Sequence, residues 1–196
     1  AGKDKEYVHT YYKDRIRPLI SPQIIDPNHP FPHLKNKELY AAAVLEDGEK
    51  KMLGIVGVPE QVPPILTLPG QSGRYVRTED IIFNDIKKIF KIYSIAEKCV
   101  ISVTRNADIS YDDDKFDEDY VDFRTHMAKL LRQRERLSPV RLEMQGDAPQ
   151  LRKTLEKKLK LSPEQTYICY CPLNLKYVHS LKNIDNSLYY QPHTPV

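Results

Sequence analysis

Six histidines, His9, His29, His33, His126, His179 and His193, are the side chains here best suited to carry a phosphoryl group. A phosphorylated histidine needs a partner to orient it and cations to hold the phosphates. Only His29 and His33 are close in sequence, inside a proline-rich stretch, and none of the six has that set beside it. Cys169 and Cys171 stand two apart in Thr166-Tyr167-Ile168-Cys169-Tyr170-Cys171. That spacing puts both thiols on one face of a strand, yet a closed zinc site needs four ligands. The pair therefore reads as two buried apolar thiols of a core strand. Asp112, Asp113, Asp114, Asp117, Glu118 and Asp119 invite comparison with a calcium loop. Counted from Asp112, however, the sixth residue is Asp117 and not glycine, and the twelfth is Phe123 and not glutamate. These acids read instead as the start of a helix whose negative end is complemented by Lys129, Arg132, Arg134 and Arg136.

Two local excesses of positive charge are suited to a polyanion. Arg124, Lys129, Arg132, Arg134, Arg136 and Arg141 form the first; Arg152, Lys153, Lys157, Lys158 and Lys160, opposed by Glu156, form the second. The candidate contacts are Arg132, Arg134, Arg136, Arg141, Arg152 and Lys153, which would bind by counterion release with strong salt dependence. Solvated helix faces explain the same residues more simply. Neither G-x-x-x-x-G-K nor G-x-G-x-x-G occurs, so no glycine-rich phosphate loop accompanies them. The formal net charge of +3 selects no polyanionic partner by itself. Tyr11-Tyr12 and Tyr189-Tyr190 can stack on bases, but paired tyrosines more often pack locally.

The elements that must position these residues are legible in order. Asp4 to Ile16 has helical spacing, with Tyr7, Val8, Tyr11 and Ile16 near one face. Arg17 to Leu34 threads Leu19, Ile20, Ile24, Ile25, Phe31 and Leu34 between Pro18, Pro22, Pro27, Pro30 and Pro32. Proline fixes φ and steers the residue before it away from the helical region. This stretch must be extended and, given its large apolar side chains, ordered.

Leu39–Leu45 and Met52–Val58 flank an Asp47-Gly48 turn and predict a hairpin. Val62–Pro69 is a short extended segment suited to a sheet edge, and Arg74–Arg77 a further strand. Thr78 is expected to cap a helix to about Phe90, buried through Ile81, Ile82, Ile86, Ile89 and Phe90. Cys99–Thr104 predicts a strand, Tyr120 to Leu137 a long helix, and Val140–Met144 another strand. Asp147-Ala148-Pro149-Gln150 resembles a capping box ahead of Leu151, Leu155 and Leu159. Tyr167–Cys171 is a last strand, and Asn174 caps a short helix through Leu181. The economical class is α+β: a two-layer sandwich with a mostly antiparallel or mixed sheet and helices packed on one face, preceded by a helix and the proline-rich segment.

Several segments together resemble the middle (head) domain of bacterial polyphosphate kinase. The pattern P-L-I-S-P-x-x-I-D-P-x-H-P-F-P-x-L runs from Pro18 to Leu34 into a hydrophobic strand. Gly73-Arg74-Tyr75-Val76-Arg77-Thr78-Glu79-Asp80-Ile81-Ile82 is similar to the family's R-F-V-P-L-E-D-V-I segment. Ser102-Val103-Thr104-Arg105-Asn106-Ala107-Asp108-Ile109 is similar to its R-V-T-R-D-A-D-L. Pro139-Val140-Arg141-Leu142-Glu143 follows in order, and Leu188–Pro195 resembles the family's exit toward its first catalytic domain.

The resemblance implies residues 1–3 as a junction or processed end, 4–187 as the head domain, and 188–196 as an extended exit segment. It implies a full-length enzyme that reversibly transfers the terminal phosphate of ATP to polyphosphate through a phosphohistidine. The catalytic histidines and the magnesium- and ATP-binding residues would lie in other domains, so no catalytic, cofactor or metal residue carries over. His193 sits in the exit motif and is not the nucleophile. The head domain would serve dimer assembly and framing of the active-site tunnel. An independent polyanion-binding module is the alternative, and a small stand-alone enzyme is ranked last.

Composition agrees with a globular chain of 196 residues, 40% hydrophobic and 29% charged. Fifteen prolines against seven glycines imply stiff connections and few tight glycine turns. Three cysteines are too few for a disulfide framework, and a cytoplasmic location is expected. No stretch approaches a membrane span.

Overall fold

The computed structural model describes residues 2–26, 29–70, 73–106, 137–181 and 190. Its centre is a hairpin of β2 (Leu39–Asp47) and β3 (Lys50–Gly57). Asp47 pairs with Lys50, leaving a two-residue loop whose first member, Gly48, has φ +59°. A positive φ at that position suits the primed turns that match strand twist. β1 (Gln23–Ile25), drawn from the proline-rich crossover, pairs antiparallel with β3. On the other side β2 pairs with β6 (Ser94–Arg105), β6 with β7 (Pro139–Gln145), and β7 in parallel with β8 (Thr166–Cys169). The sheet order is β1-β3-β2-β6-β7-β8. The α+β class and mostly antiparallel sheet expected from the pattern are what the chain adopts.

The layering is fuller than one covered face. Along β2, Ala42 and Val44 join Ile101, Val103, Leu142 and Met144 against Leu151, Leu155 and Leu159 of α3 (Pro149–Leu159). The alternate residues Ala41, Ala43 and Leu45 join Val56 against Ile81, Ile82, Ile86 and Phe90 at α2 (Thr78–Ile89). Because side chains alternate along a strand, a run buried at every position from Ala41 to Leu45 needs a helix on each side. Gly54 shows how closely α2 approaches: a Cβ there would lie 2.8 Å from Phe90 Cζ and 2.9 Å from Leu45 Cδ1.

The first helix, α1 (Gly2–Tyr11), passes into a π-turn over Tyr12–Ile16, where Arg17 N–H donates to Tyr12 O. The wider turn shifts the phase of the helix, so Tyr12 and Ile16 are buried while Tyr7 is exposed. The proline-rich crossover is anchored as expected, with Ile25 and Leu34 in the core and Phe31 packed against it. Val62–Pro69 contributes β4 (Ile65–Thr67), which pairs with β5 (Tyr75–Arg77) in a separate two-stranded ribbon.

Two expected caps are replaced by longer-range contacts. Arg77 is the N-cap of α2, so Thr78 stands one position inside the helix. Its hydroxyl donates to Pro63 O and its N–H to Pro64 O, fastening the helix to the crossing segment. The Asp147 capping box does not form, because α3 starts at Pro149 and its N-cap is Ala148. Glu97 of β6 supplies the carboxylate instead, its Oε2 accepting from Gln150 N (2.9 Å) and Leu151 N (3.0 Å). At the other end Lys160 takes φ +57° and Leu161 N–H reaches Glu156 O, a Schellman-type finish. A 3₁₀ turn at Lys176–Ser180 occupies the expected short final helix, with Asn174 Oδ1 accepting from Lys176 N. The acidic run and the helix expected over 120–137 lie, apart from Leu137, outside the described residues.

Candidate functional site

The motif arginines are held by the fold. Arg77, at the end of β5, donates through Nε and Nη2 to the two oxygens of Asp80 at 2.7 and 2.8 Å. Such a two-point ion pair locks β5 to the first turn of α2. Beside it Glu79 is buried, with Arg77 Nη1 3.5 Å away. Burial pushes the Glu79 carboxyl above the ordinary range, and Arg77 only partly opposes that.

Arg105, at the end of β6, is 7% exposed. Its Nε donates to Leu34 O (2.7 Å), its Nη1 to Leu137 O (2.8 Å), and its backbone N–H to Asn36 Oδ1 (2.9 Å). One side chain thus ties the end of β6 to the proline-rich crossover and to Leu137, just ahead of β7. Nothing local in Ser102-Val103-Thr104-Arg105 announces this role, since the partners lie 71 and 32 residues away.

Of the candidate polyanion contacts, the described ones lie on two faces of the sheet. Leu142 and Met144 of β7 point toward α3, so Arg141, one step away, lies on the opposite face of the sheet. There Arg141 donates to Glu143 Oε1 (2.7 Å), and its guanidinium carbon sits 4.5 Å from the centroid of the Tyr167 ring. Arg152 and Lys153 ride on α3, across the sheet from Arg141. Arg132, Arg134 and Arg136 lie outside the described residues.

Two cavities adjoin at the start of β2. The larger, about 450 Å³, is lined by Lys37, Glu38, Glu60, Glu79, Lys176 and Tyr177 among others. The smaller, about 310 Å³, shares Glu38 and Glu60 and reaches Tyr40 and His33. Lys35 Nζ bridges Glu38 (3.2 Å) and Glu60 (3.3 Å) between them. Burial and then Glu60 raise the Glu38 carboxyl, while hydrogen bonds from Glu38 and Lys35 lower that of Glu60. Acids and lysines of both signs line this region, which is poorly matched to a polyphosphate chain.

Among the described histidines, His29 has an oriented contact that sequence spacing could have revealed: Nδ1 lies 2.7 Å from Asp26 Oδ1, three residues earlier. His29 is exposed, as are His9, His33 and His179; His126 and His193 lie outside the described residues. The expectation of two buried thiols is corrected. Cys171 is exposed and Cys169 only half-buried, because β8 is an outer strand and ends at Cys169. Buried Cys99, in contrast, has its thiol pushed up to about 12. Among the described residues no three His, Cys, Asp or Glu side chains gather to hold a metal ion. No helix among them is long and apolar enough to cross a membrane.

Comparison with known proteins gives a consistent result. The family model of the polyphosphate kinase middle domain matches residues 3–181. A polyphosphate kinase of Pseudomonas aeruginosa is 32% identical over 204 residues, covering 98% of this chain and 29% of the relative. One from Lactiplantibacillus plantarum is 30% identical over 179 residues, covering 89% and 24%. The crystal structure of polyphosphate kinase from Porphyromonas gingivalis shares the fold at TM-score 0.72 and 20% identity, over 98% of this chain and 28% of that one. The chain thus spans less than a third of the relatives it matches. With residues 3–181 matched by that model and relatives 30–32% identical over most of its length, the chain belongs to the polyphosphate kinase middle-domain family.

Proposed function

We propose that this chain is the non-catalytic middle domain of a cytoplasmic polyphosphate kinase, with residues 4–187 as the domain body and 188–196 as its exit segment. The parent enzyme would transfer the terminal phosphate of ATP reversibly to polyphosphate through a phosphohistidine. ATP and magnesium would be bound by the parent's other domains, and this one would serve dimer assembly and framing of the active-site tunnel. The observation that carries this reading is the use made of the family-like residues. Arg77 and Asp80 hold each other, and Arg105 holds backbone carbonyls. Both arginines are engaged in holding the fold together.

Two measurements on the purified chain test the proposal. Incubation with γ-labelled ATP and magnesium is expected to leave every histidine unlabelled; acid-labile label on any of them would overturn the non-catalytic role. Binding of long-chain polyphosphate, with duplex DNA as competitor, is expected to vanish between low and near-physiological salt. Salt-resistant binding that prefers polyphosphate would replace the framing role with direct guidance of the polymer, and charge reversal at Arg141 and at Arg152 would show which face performs it.

A further inference from the structure

We propose that Cys169 and Cys171 form an accessible dithiol that captures thiophilic centres, trivalent arsenicals being the probe class. Both thiols are free, at the end of the last strand in the sheet order, where the chain bends at Tyr170 and Cys171. Cys171 lies two residues past the end of β8, and two residues of chain span at most about 7 Å whatever their conformation, which keeps both thiols within reach of one centre. The backbone beneath them is fixed: Cys169 O accepts from Gly146 N at 2.8 Å, and β8 pairs with β7 through Gln145 and Cys169. Gln145 itself leaves its side-chain oxygen buried and without a hydrogen bond. Cys171 is exposed, so a reagent meets one thiol first and closes on the other.

The ligand class follows from the donors. Two sulfurs without a third Cys, His, Asp or Glu among the described residues cannot build a tetrahedral zinc site. Soft thiolate pairs instead select thiophilic ions. With an arsenoxide, R–As=O, both S–H bonds break and two As–S bonds form. The oxygen leaves as water with both thiol protons, and no electron is transferred. Capture of a free soft cation requires deprotonated thiols, and burial, Cys171 and Glu143 hold the Cys169 thiol up while Arg141 opposes them. Affinity for such a cation is therefore expected to rise with pH. The proposal is independent of any role in phosphate transfer.

The test is titration of the reduced 196-residue chain with phenylarsine oxide, followed by counting thiols that still react with a disulfide reagent. One arsenical per chain is expected to protect two thiols, and a dithiol such as dimercaptopropanol, but not a monothiol, to reverse it. Cys171→Ser, an exposed position, and Cys169→Ser are each expected to weaken binding about 100-fold or more, because the second bond becomes intermolecular. Cys99→Ala, if folded by circular dichroism, is expected to bind like the wild type. Equal affinity of Cys171→Ser and wild type, or protection of only one thiol per arsenical, would overturn the proposal.

Discussion

Glu79 is a buried carboxylate beside Arg77, and its burial has a pH signature. Its folded-state pKa is raised, so the folded chain holds that proton more tightly than the unfolded chain does. Stability from this group is then fully present below the unfolded pKa and is lost as pH rises through the folded one. Glu79→Gln is therefore expected to gain melting temperature over the wild type more at about pH 7 than at about pH 4. Thermal unfolding of both chains across that range checks it; a difference that is flat in pH would count against a perturbed carboxylate. Gly54 makes a second residue-scale prediction. A methyl group there meets Phe90 and Leu45 at under 3 Å. Gly54→Ala is thus expected to cost about 1–3 kcal/mol in denaturant unfolding through overpacking. Lys160 works in the other direction. Its left-handed conformation costs a side-chain-bearing residue about 1 kcal/mol, so Lys160→Gly is expected to raise the denaturation midpoint.

Among elements, the decisive contacts are those between segments distant in sequence. Glu97 caps α3 from a neighbouring strand, and Glu97→Ala is expected to cost about 1–2 kcal/mol, measurable by chemical denaturation. The strands and helices themselves were legible because their signals are local: alternation in β2 and β3, an Asp-Gly turn, an isoleucine stripe in α2. The caps were not. Asp147 and Thr78 have the right chemistry but stand one residue from the position where it would act, and residue spacing cannot reveal an acceptor delivered from 53 residues away. The same limit applies to the candidate site. Arg141 and Arg152 look like neighbouring basic clusters until the β7–α3–β8 crossover puts them on opposite faces. The cysteine pair departs from the core-strand pattern because alternation identifies a strand without showing where it ends or whether another strand lies beyond it.

For the molecule as a whole, Arg105 helps close the point where β6 and β7 part. Asn106 N–H bonds Ser138 O at 3.0 Å just outside the Arg105–Pro139 pairing. Replacing residues 107–136 with a short flexible linker is expected to leave the sheet intact, since loop closure depends only weakly on length. The amide spectrum of the six strands should persist; collapse of the fold would show that residues 107–136 supply core contacts.

The position of β2 in the middle of the sheet also imposes an order in time. Tyr40 pairs with Ile101, so a ribosome must add about sixty more residues, roughly 3–12 seconds of synthesis, before the central strand meets its second neighbour. During that interval Leu39–Leu45, apolar on both faces, has only β3 alongside it. A nascent chain paused before Ser94 therefore presents an open sticky edge, the kind of segment that chaperones shield and that self-associates when they do not.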